Sequence, residues 1–145
     1  MNWEIREALD EGDVRRCWPV FRELRLNIAT EEIFVGRWRT QREEGYRIVL
    51  LERDGEVQAV GGYRILNSMA WGRILYLDDL AALSERHGGG LGTAVLRYVQ
   101  DQARRAGCEA VHLDTGYHRH RAHKAYLRNG FEFNSHHLEW KVTGA

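Results

Sequence analysis

Apolar residues in the first third of the chain recur with the spacing of helices. Over residues 14–28 they fall every three or four positions on one face, which predicts an amphipathic helix that is interrupted or kinked at Pro19. Thr30 and the two glutamates after it are typical of a helix start, and Gly45 is placed to end that second helix. A weak alternation over residues 3–8 predicts a short strand before both helices.

Alternating apolar and polar positions then predict strands. Residues 46–53 and 56–65 flank an Asp-Gly pair, which tolerates the positive φ angles of a two-residue hairpin turn. The next predicted strand covers residues 74–80, and a last one covers residues 138–142, where Leu, Trp and Val alternate with charged residues. The sequence therefore predicts antiparallel strands in the middle of the chain.

The second half shows the clearest helix, over residues 91–106, with apolar residues at intervals of three and four and glycine after its end. Residues 108–114 predict a strand parallel to the one before that helix, and residues 122–129 predict a short helix that stops at Gly130. We expect an α/β fold of the α+β type, with a mixed, mainly antiparallel sheet flanked by helices and a central unit of strand, glycine loop, helix and strand.

Composition narrows the class of protein. The chain has 145 residues, which predicts one domain over residues 1–145. Its 21 Lys and Arg against 21 Asp and Glu argue against a general nucleic-acid-binding protein. Apolar runs fall far short of the ~18 residues that span a bilayer, and early charges argue against a secretory signal. With two cysteines, too few for a disulfide framework, we expect a cytoplasmic protein without a membrane partner.

The segment between the predicted strand at 74–80 and the following helix is rich in glycine, which occupies positions 88–90 and 92. Glycine lets a ligand approach the backbone closely, and the free N–H groups of a helix start form an anion site. A dinucleotide-binding GxGxxG motif does not fit, because Thr93 and Val95 stand where its last glycine is needed, and there is no Walker Gly-Lys-Ser/Thr. The alternative is a glycine-rich turn without a ligand.

Two motifs lie on either side of this helix. Residues 80–92 read Leu-Ala-Ala-Leu-Ser-Glu-Arg-His-Gly-Gly-Gly-Leu-Gly, and Ala122, Tyr126, Gly130 and Phe131 form Ala-x-x-x-Tyr-x-x-x-Gly-Phe. Both resemble the GNAT superfamily of acyl-CoA-dependent N-acyltransferases, whose loop pattern is Leu-x-Val-x-Pro-x-x-Arg-Gly-x-Gly-Ile-Gly. The order of the predicted elements extends the resemblance over nearly the whole chain.

The chain departs from the family's pattern at four positions. Ala82 replaces Val, Ser84 replaces Pro, His87 replaces the usual Gln or Arg, and Arg119 stands where the family often has Asn. Most contacts of this loop with pyrophosphate are made by the backbone in the family. The resemblance therefore still implies a CoA-binding loop.

The resemblance implies an acetyl-CoA-dependent N-acetyltransferase in which an amine attacks the thioester directly, without an enzyme nucleophile. Pantetheine would lie along the strand end and pyrophosphate on the loop amides, with the cofactor-binding residues Leu80, Ala81, Ala82, His87, Gly88, Gly89, Gly90, Leu91, Gly92, Thr93 and Arg119. Tyr126 matches the family's acid for the departing thiolate. The partners would be acetyl-CoA and a small-molecule or peptide amine, and because relatives commonly pair, a homodimer is one expectation.

Asp78 and Asp79 are the candidates for the base, with Asp78 at the place where some polyamine-acetylating relatives have a glutamate. Neighbouring residues of a regular strand point to opposite faces, so only one of them is expected to face the cleft. A carboxylate with an ordinary pKa near ~3.9 accepts a proton from an amine poorly unless burial raises its pKa or water relays the proton. A structural carboxylate or a substrate anchor is the alternative role.

Other readings of the sequence remain open. His118, His120 and His123 have an HxHxxH spacing, but the cations among them argue against zinc, and we predict no metal. The scaffold could use another acyl donor or acceptor, or serve as a CoA-binding module without turnover. The acceptor depends on loops at residues 26–33, 67–73 and 132–137, whose packing the sequence does not fix.

Overall fold

The computed structural model describes residues 2–142 of the chain. Its contacts divide the chain into two compact units, one running to Leu113 and the other beginning at Asp114. The boundary follows the short strand that ends the first unit. The prediction of one domain over residues 1–145 stays a prediction.

The first unit contains the sheet and four helices. Its elements are β1 (Trp3–Glu7), α1 (Glu11–Arg16), α2 (Trp18–Leu24), α3 (Glu31–Glu43), β2 (Arg47–Arg53), β3 (Glu56–Ser68), β4 (Gly72–Ala82), a 3-10 turn (Ser84–Arg86), α4 (Leu91–Arg105) and β5 (Ala110–His112). The second unit contains α5 (His120–Arg128), followed by irregular chain to residue 142.

The five strands form one sheet in chain order, from β1 to β5. The first three pairings are antiparallel. The pairing of β4 with β5 is parallel, because α4 returns the chain to the end of the sheet at which β4 begins. The hairpin between β2 and β3 turns at Asp54 and Gly55, whose φ angles are +54° and +74°. The predicted mixed, mainly antiparallel sheet is confirmed.

Each face of the sheet is buried under helices. Ile48 and Leu50 belong to the apolar cluster that contains the buried residues of α1, α2 and α3. Val49 lies on the opposite face, where Gly61 of β3 allows Val95 of α4 to approach the strand. Because strand residues alternate between faces, a nearly continuous apolar run in β2 fits a sheet that is covered on both sides.

The early helices begin at residues that can cap them. Asp10 accepts a hydrogen bond from the amide of Asp13 at 2.8 Å at the start of α1, and Thr30 accepts one from Ile33 at 3.2 Å at the start of α3. These bonds satisfy N–H groups that a helix leaves without partners. The helix start predicted at Thr30 is confirmed.

The helix predicted over residues 14–28 is wrong in its extent. It is two helices, α1 and α2, separated at Cys17, so that three helices rather than two precede β2. Pro19 lies in the first turn of α2, where its missing N–H costs no hydrogen bond, and α2 ends at Leu24, before Ile28. The predicted interruption is therefore present just before Pro19, and the alternative of a kink is wrong, because proline lies at the start of a helix here.

The last predicted strand is wrong as well. Residues 138–142 are irregular, and Leu138, Trp140 and Val142 are 89%, 85% and 88% exposed. A strand needs a neighbour to take its hydrogen bonds, and in the part of the chain that the structure describes these residues have none. The alternation of apolar and polar residues was therefore not sufficient to predict a strand here.

Candidate active site

The N-terminus of α4 presents free backbone amides. Gly90 caps the helix with a φ of +77°, a left-handed conformation that glycine adopts without strain. The amides of residues 90–93 have no hydrogen-bond partner among residues 2–142. A Cβ built at Gly90 or Gly92 would meet nothing within 4 Å, so no other group packs against these two Cα atoms. The positive end of the helix and four free donors favour an anion there.

The loop before α4 is held against the first unit by side chains. His87 Nε2 donates to the carbonyl oxygen of Ala82 at 3.1 Å, and the amide of Ser84 donates to Glu23 at 2.8 Å. Arg86 donates to Glu56 at 3.1 Å. The loop's side chains therefore bind the protein itself, and the amides of Arg86, His87 and Gly89 donate to carbonyl oxygens within the loop. The amides of residues 90–93 remain available.

The end of β4 is open along one edge. The parallel pairing with β5 covers only Ile74 to Tyr76. Beyond it, residues 77–82 have no strand partner on that side within the described chain, while β3 pairs with the other edge. An extended ligand could pair with this edge in the manner of an added strand. The predicted segment at Leu80, Ala81 and Ala82 lies in this open stretch.

A bulge interrupts β4 at the two carboxylates. Gly62 of β3 pairs with Asp79 and its neighbour Tyr63 pairs with Leu77, so Asp78 is the extra residue. A bulge re-aims side chains locally and breaks the alternation of faces. Asp78 and Asp79 accordingly line the same cavity. The expectation that only one of them could face the cleft is wrong, because it assumed a regular strand.

Asp79 is held by two groups. Tyr46 donates its hydroxyl proton to one carboxylate oxygen at 2.5 Å, and Arg25 Nε donates to the other at 2.8 Å. A Cβ at Gly62 would lie 1.8 Å from the Tyr46 hydroxyl, so glycine is required there for this contact. Burial, reinforced by the charge of Asp79, raises the pKa of Tyr46 well above its ordinary value, and the phenol remains a donor.

Asp78 is paired with Arg64 of β3. The guanidinium donates through Nε and Nη2 to the two carboxylate oxygens, both at 2.8 Å. Burial nevertheless raises the pKa of Asp78 above its ordinary value, because the lowering effect of Arg64 is smaller than the cost of removing the carboxylate from water. Arg25 also donates to the backbone carbonyl oxygen of Asp78 at 2.7 Å, which links the two aspartates.

Asp78 and Asp79 line a cavity of about 370 Å³ in the first unit, which is large enough for a small molecule. It is lined by apolar and aromatic residues, Phe21, Ile28, Phe34, Trp38 and Tyr46, and by polar ones, Arg25, Asn27, Arg37, Gln41, Asp78 and Asp79. Phe21, Phe34 and Trp38 also belong to the core cluster. The predicted acceptor loop at residues 26–33 contributes to the lining.

The second unit contains two further predicted site residues. Tyr126 of α5 is 8% exposed, and its ring lies edge-on against Phe131 at 5.7 Å between centroids. Arg119 is the residue before α5. His123 lies edge-on to His120 and donates through Nε2 to the carbonyl oxygen of Gly116 at 2.8 Å. Within residues 2–142, no three His, Cys, Asp or Glu side chains come together as metal ligands would.

A family model, described as the acetyltransferase (GNAT) family, matches residues 13–131 of this chain. The chain belongs to that family. It is 28% identical over 132 residues to YhdJ of Bacillus subtilis, an uncharacterized N-acetyltransferase, with 90% of this chain and 93% of YhdJ covered. It is 32% identical over 90 residues to an aminoalkylphosphonate N-acetyltransferase of Salmonella typhimurium, with 60% of this chain and 56% of that protein covered.

Solved structures of GNAT proteins share the fold. Glucosamine-6-phosphate N-acetyltransferase from Arabidopsis thaliana has a TM-score of 0.75 at 23% identity, with 99% of this chain and all of that chain covered. AAC(6′)-Iy, solved with the bisubstrate analogue CoA-S-monomethyl-acetylneamine, has a TM-score of 0.81 at 13% identity, with 99% of both chains covered. Family membership makes this protein an N-acetyltransferase, an enzyme that moves an acetyl group to an amine.

Sequence reasoning missed the partners of the two aspartates. Arg25, Tyr46 and Arg64 lie in three different elements or loops, and no local motif connects them with β4. The possible signal is Gly62, which stands inside a strand, where glycine often marks a bulge or a close approach.

None of the helices in the described part of the chain could span a bilayer, since each is too short or too polar.

Proposed function

We propose that acetyl-CoA is the acyl donor and that an amine bound in the cavity attacks its thioester carbonyl directly. The observation that carries this proposal is the set of free amides at residues 90–93, which belong to the same unit as an open strand edge that leads to two carboxylates. The anion site, the strand edge and the cavity with its two carboxylates match the three parts of the reaction, which are the diphosphate, the pantetheine and the amine.

The cosubstrate would bind mainly through backbone groups. Its diphosphate would lie against residues 88–93 and accept hydrogen bonds from the free amides of Gly88 and residues 90–93, and its pantetheine would lie along residues 80–82. His87 would act by holding the loop to Ala82, which agrees with its bond to that carbonyl. Arg119 is assigned to the cosubstrate by family resemblance, as a cation for its phosphates.

The transfer needs one new bond and one broken bond. The amine nitrogen attacks the carbonyl carbon, and the carbon–sulfur bond breaks as the tetrahedral intermediate collapses. A backbone amide near Leu80 or Ala81 would stabilise the oxyanion, and Tyr126 would give its proton to the departing thiolate. The proton of the attacking ammonium would pass to Asp78, directly or through water. Burial raises the pKa of the Cys17 thiol to about 12, so that thiol stays neutral and offers no nucleophile.

Asp78 is the stronger candidate for the base, and Asp79 for a positioning role. The pKa of Asp78 is raised by burial, which makes it a better proton acceptor than an ordinary carboxylate. Asp79 is engaged by both Tyr46 and Arg25, so it organises the cavity wall. Arg64 occupies both oxygens of Asp78, but a carboxylate can accept further hydrogen bonds at its remaining lone pairs.

We further propose a cytoplasmic enzyme that forms homodimers and works without metal, nucleic acid or membrane partners. The balance of charges supports the absence of a nucleic-acid partner. The apolar side chains Phe133, Leu138, Trp140 and Val142 are all exposed within ten residues of chain, and this supports pairing, because apolar surface of this kind often marks a protein–protein contact. A small amine is the acceptor that fits a cavity of about 370 Å³.

The test is acetyl transfer to an amine panel, measured as thiol release from acetyl-CoA together with the mass of the acetylated product. Wild type should release thiol, and Tyr126→Phe should lower kcat by about 10²- to 10⁴-fold, the contribution of a general acid. The control is Tyr117→Phe, since Tyr117 lies in the same unit and is 83% exposed. Full activity of Tyr126→Phe would contradict the role of Tyr126, and CoA binding without transfer would indicate a binding module.

A further inference from the structure

We infer that the acceptor is a small amine that also carries an anionic group, and that Arg37 binds this anion. The inference rests on the proposed function, because it names the class of amine that the same cavity would take. The anion is a carboxylate, a phosphonate or a phosphate, groups that a guanidinium binds through two parallel hydrogen bonds.

The carboxylates of the cavity are already neutralised. Asp79 is paired with Arg25 at 2.8 Å, and Asp78 is paired with Arg64 at 2.8 Å. Each negative charge therefore has its own guanidinium within hydrogen-bond distance. An incoming ammonium would not meet an uncompensated negative charge at either of these aspartates.

Arg37 is different. It lines the cavity at the exposed surface of α3, and it forms no ion pair or hydrogen bond with any residue of the described chain. The other arginines of α3 are engaged, since Arg39 pairs with Glu11 and Arg42 pairs with Glu43. Counted together with Arg64, which pairs with Asp78 but does not line the cavity, three arginines face two aspartates, and the arginine without a carboxylate partner is Arg37.

The position of Arg37 on α3 directs it to the ligand. Phe34, Arg37, Trp38 and Gln41 are spaced at three and four residues and all line the cavity, so they form one face of the helix. Phe34 and Trp38 are 4% and 6% exposed and belong to the core, which fixes this face in place. The aromatic wall would contact the carbon chain of the ligand, and Arg37 would bind the group at its end.

The charge balance disfavours simple amines and diamines. A diamine brings two positive charges into a cavity that already has an unpaired cation, whereas an amine with an acidic group brings no net charge. The ammonium must also lose a proton before it attacks, and the anion then remains to hold the substrate. The structure thus favours zwitterionic acceptors over polyamines.

The experiment compares acceptors of similar length. Wild type is assayed with n-propylamine, diaminopropane, β-alanine and aminoethylphosphonate, with acetyl-CoA as donor. The two anionic amines should have kcat/KM about 10- to 100-fold above that of n-propylamine, as expected for a hydrogen-bonded charged pair. The β-alanine and aminoethylphosphonate arms separate carboxylate from phosphonate recognition.

Variants then locate the anion site. In Arg37→Gln the ratio of kcat/KM between β-alanine or aminoethylphosphonate and n-propylamine should fall towards one, mainly through KM, and Arg37→Lys should restore part of it. Arg22→Gln is the control, because Arg22 is an exposed arginine of α2 that does not line the cavity. Circular dichroism checks that each variant is folded.

Two results separate the inference from the function on which it rests. Faster acetylation of n-propylamine or diaminopropane than of the anionic amines, or an unchanged ratio in Arg37→Gln, would overturn the role of Arg37 and leave acetyl transfer standing. No thiol release with any amine would overturn the proposed function and this inference with it.

Discussion

Tyr46, Gly62 and Asp79 depend on one another in the cavity wall. The phenol of Tyr46 reaches Asp79 only because Gly62 has no side chain, and Arg25 completes the surroundings of the carboxylate. The phenol is buried, with Tyr46 only 5% exposed. A methyl group at Gly62 would therefore disturb the hydrogen bond between Tyr46 and Asp79 as well as the packing.

We expect Gly62→Ala to displace Tyr46 and to lower the free energy of unfolding by about 1–3 kcal/mol, as overpacking of a core does. Gly36→Ala is the control, because a Cβ at Gly36 meets nothing within 4 Å. That helical position should gain about 0.5–1 kcal/mol. Urea unfolding measures both, and a Gly62→Ala variant as stable as wild type would refute the contact.

The rate of acetyl transfer should depend on pH through Asp78. Because burial raises the pKa of Asp78, protonation and loss of activity should begin at a higher pH than for an ordinary aspartate as the solution is acidified. Asp78→Asn should lower kcat by about 10²- to 10⁴-fold and remove this acidic limb. Asp54→Asn, a change in the exposed hairpin turn, should keep it, and a limb that survives Asp78→Asn would rule out Asp78 as the base.

The sequence was sufficient to propose candidate residues, which stay predictions, but it did not indicate their partners. Asp78, Asp79 and the loop glycines were found from short motifs within one stretch of chain. Arg64 reaches Asp78 across 14 positions, and Arg25 reaches Asp79 across 54. Such contacts depend on the bulge between β3 and β4 and on the position of Arg25 at the end of α2, and no local motif specifies either of these.

The element that organises the site is β4. Its first residues pair on both sides, its middle bulges at Asp78, and its last residues keep one edge open. The alternation of the sequence predicted the strand but not the bulge, because a bulge is a relation between two strands. The wrong prediction of a strand at residues 138–142 has the same cause, since a strand also requires a partner. The alternation is present there, but no strand of the described chain pairs with these residues.

Backbone amides at the start of α4 should set the affinity for CoA. Gly90 has a φ of +77°, so Gly90→Ala strains the cap and should weaken CoA binding by about tenfold. Gly55→Ala is matched in strain, with a φ of +74°, but lies in the hairpin turn. Calorimetric titration should find that Gly55→Ala binds CoA as tightly as wild type does. Equal affinities of the two variants for CoA would exclude a role of the Gly90 cap in CoA binding.

For the whole molecule, the sequence predicted the sheet and the clearest helices, since both rest on strong periodicity and turn residues. It placed element ends less well at α2 and β5, where packing decides the limits.

The stability of the whole also rests on ion pairs between elements. Arg6 of β1 donates to both oxygens of Asp13 of α1, at 2.8 and 2.9 Å.

The hydrogen bonds from Arg6 lower the pKa of Asp13 from 3.8 to about 2. The stabilisation is therefore complete above pH 3.8 and is lost as the pH falls towards 2. Asp13→Asn should lower the free energy of unfolding by about 1–2 kcal/mol at pH 7, and less near pH 3. Asp101→Asn, which breaks an exposed pair with Arg105, should cost less than about 0.5 kcal/mol. Urea unfolding at several pH values measures both, and equal losses would argue against the pair.

The proposed acetyl transfer depends on a diphosphate bound at the N-terminus of α4. Calorimetry that compares CoA with pantetheine, which lacks the diphosphate, tests this most directly. Because four free amides and a helix N-terminus would bind the diphosphate, CoA should bind one site per chain at least about 100-fold more tightly than pantetheine. Equal affinities, or no heat with either compound, would contradict the account.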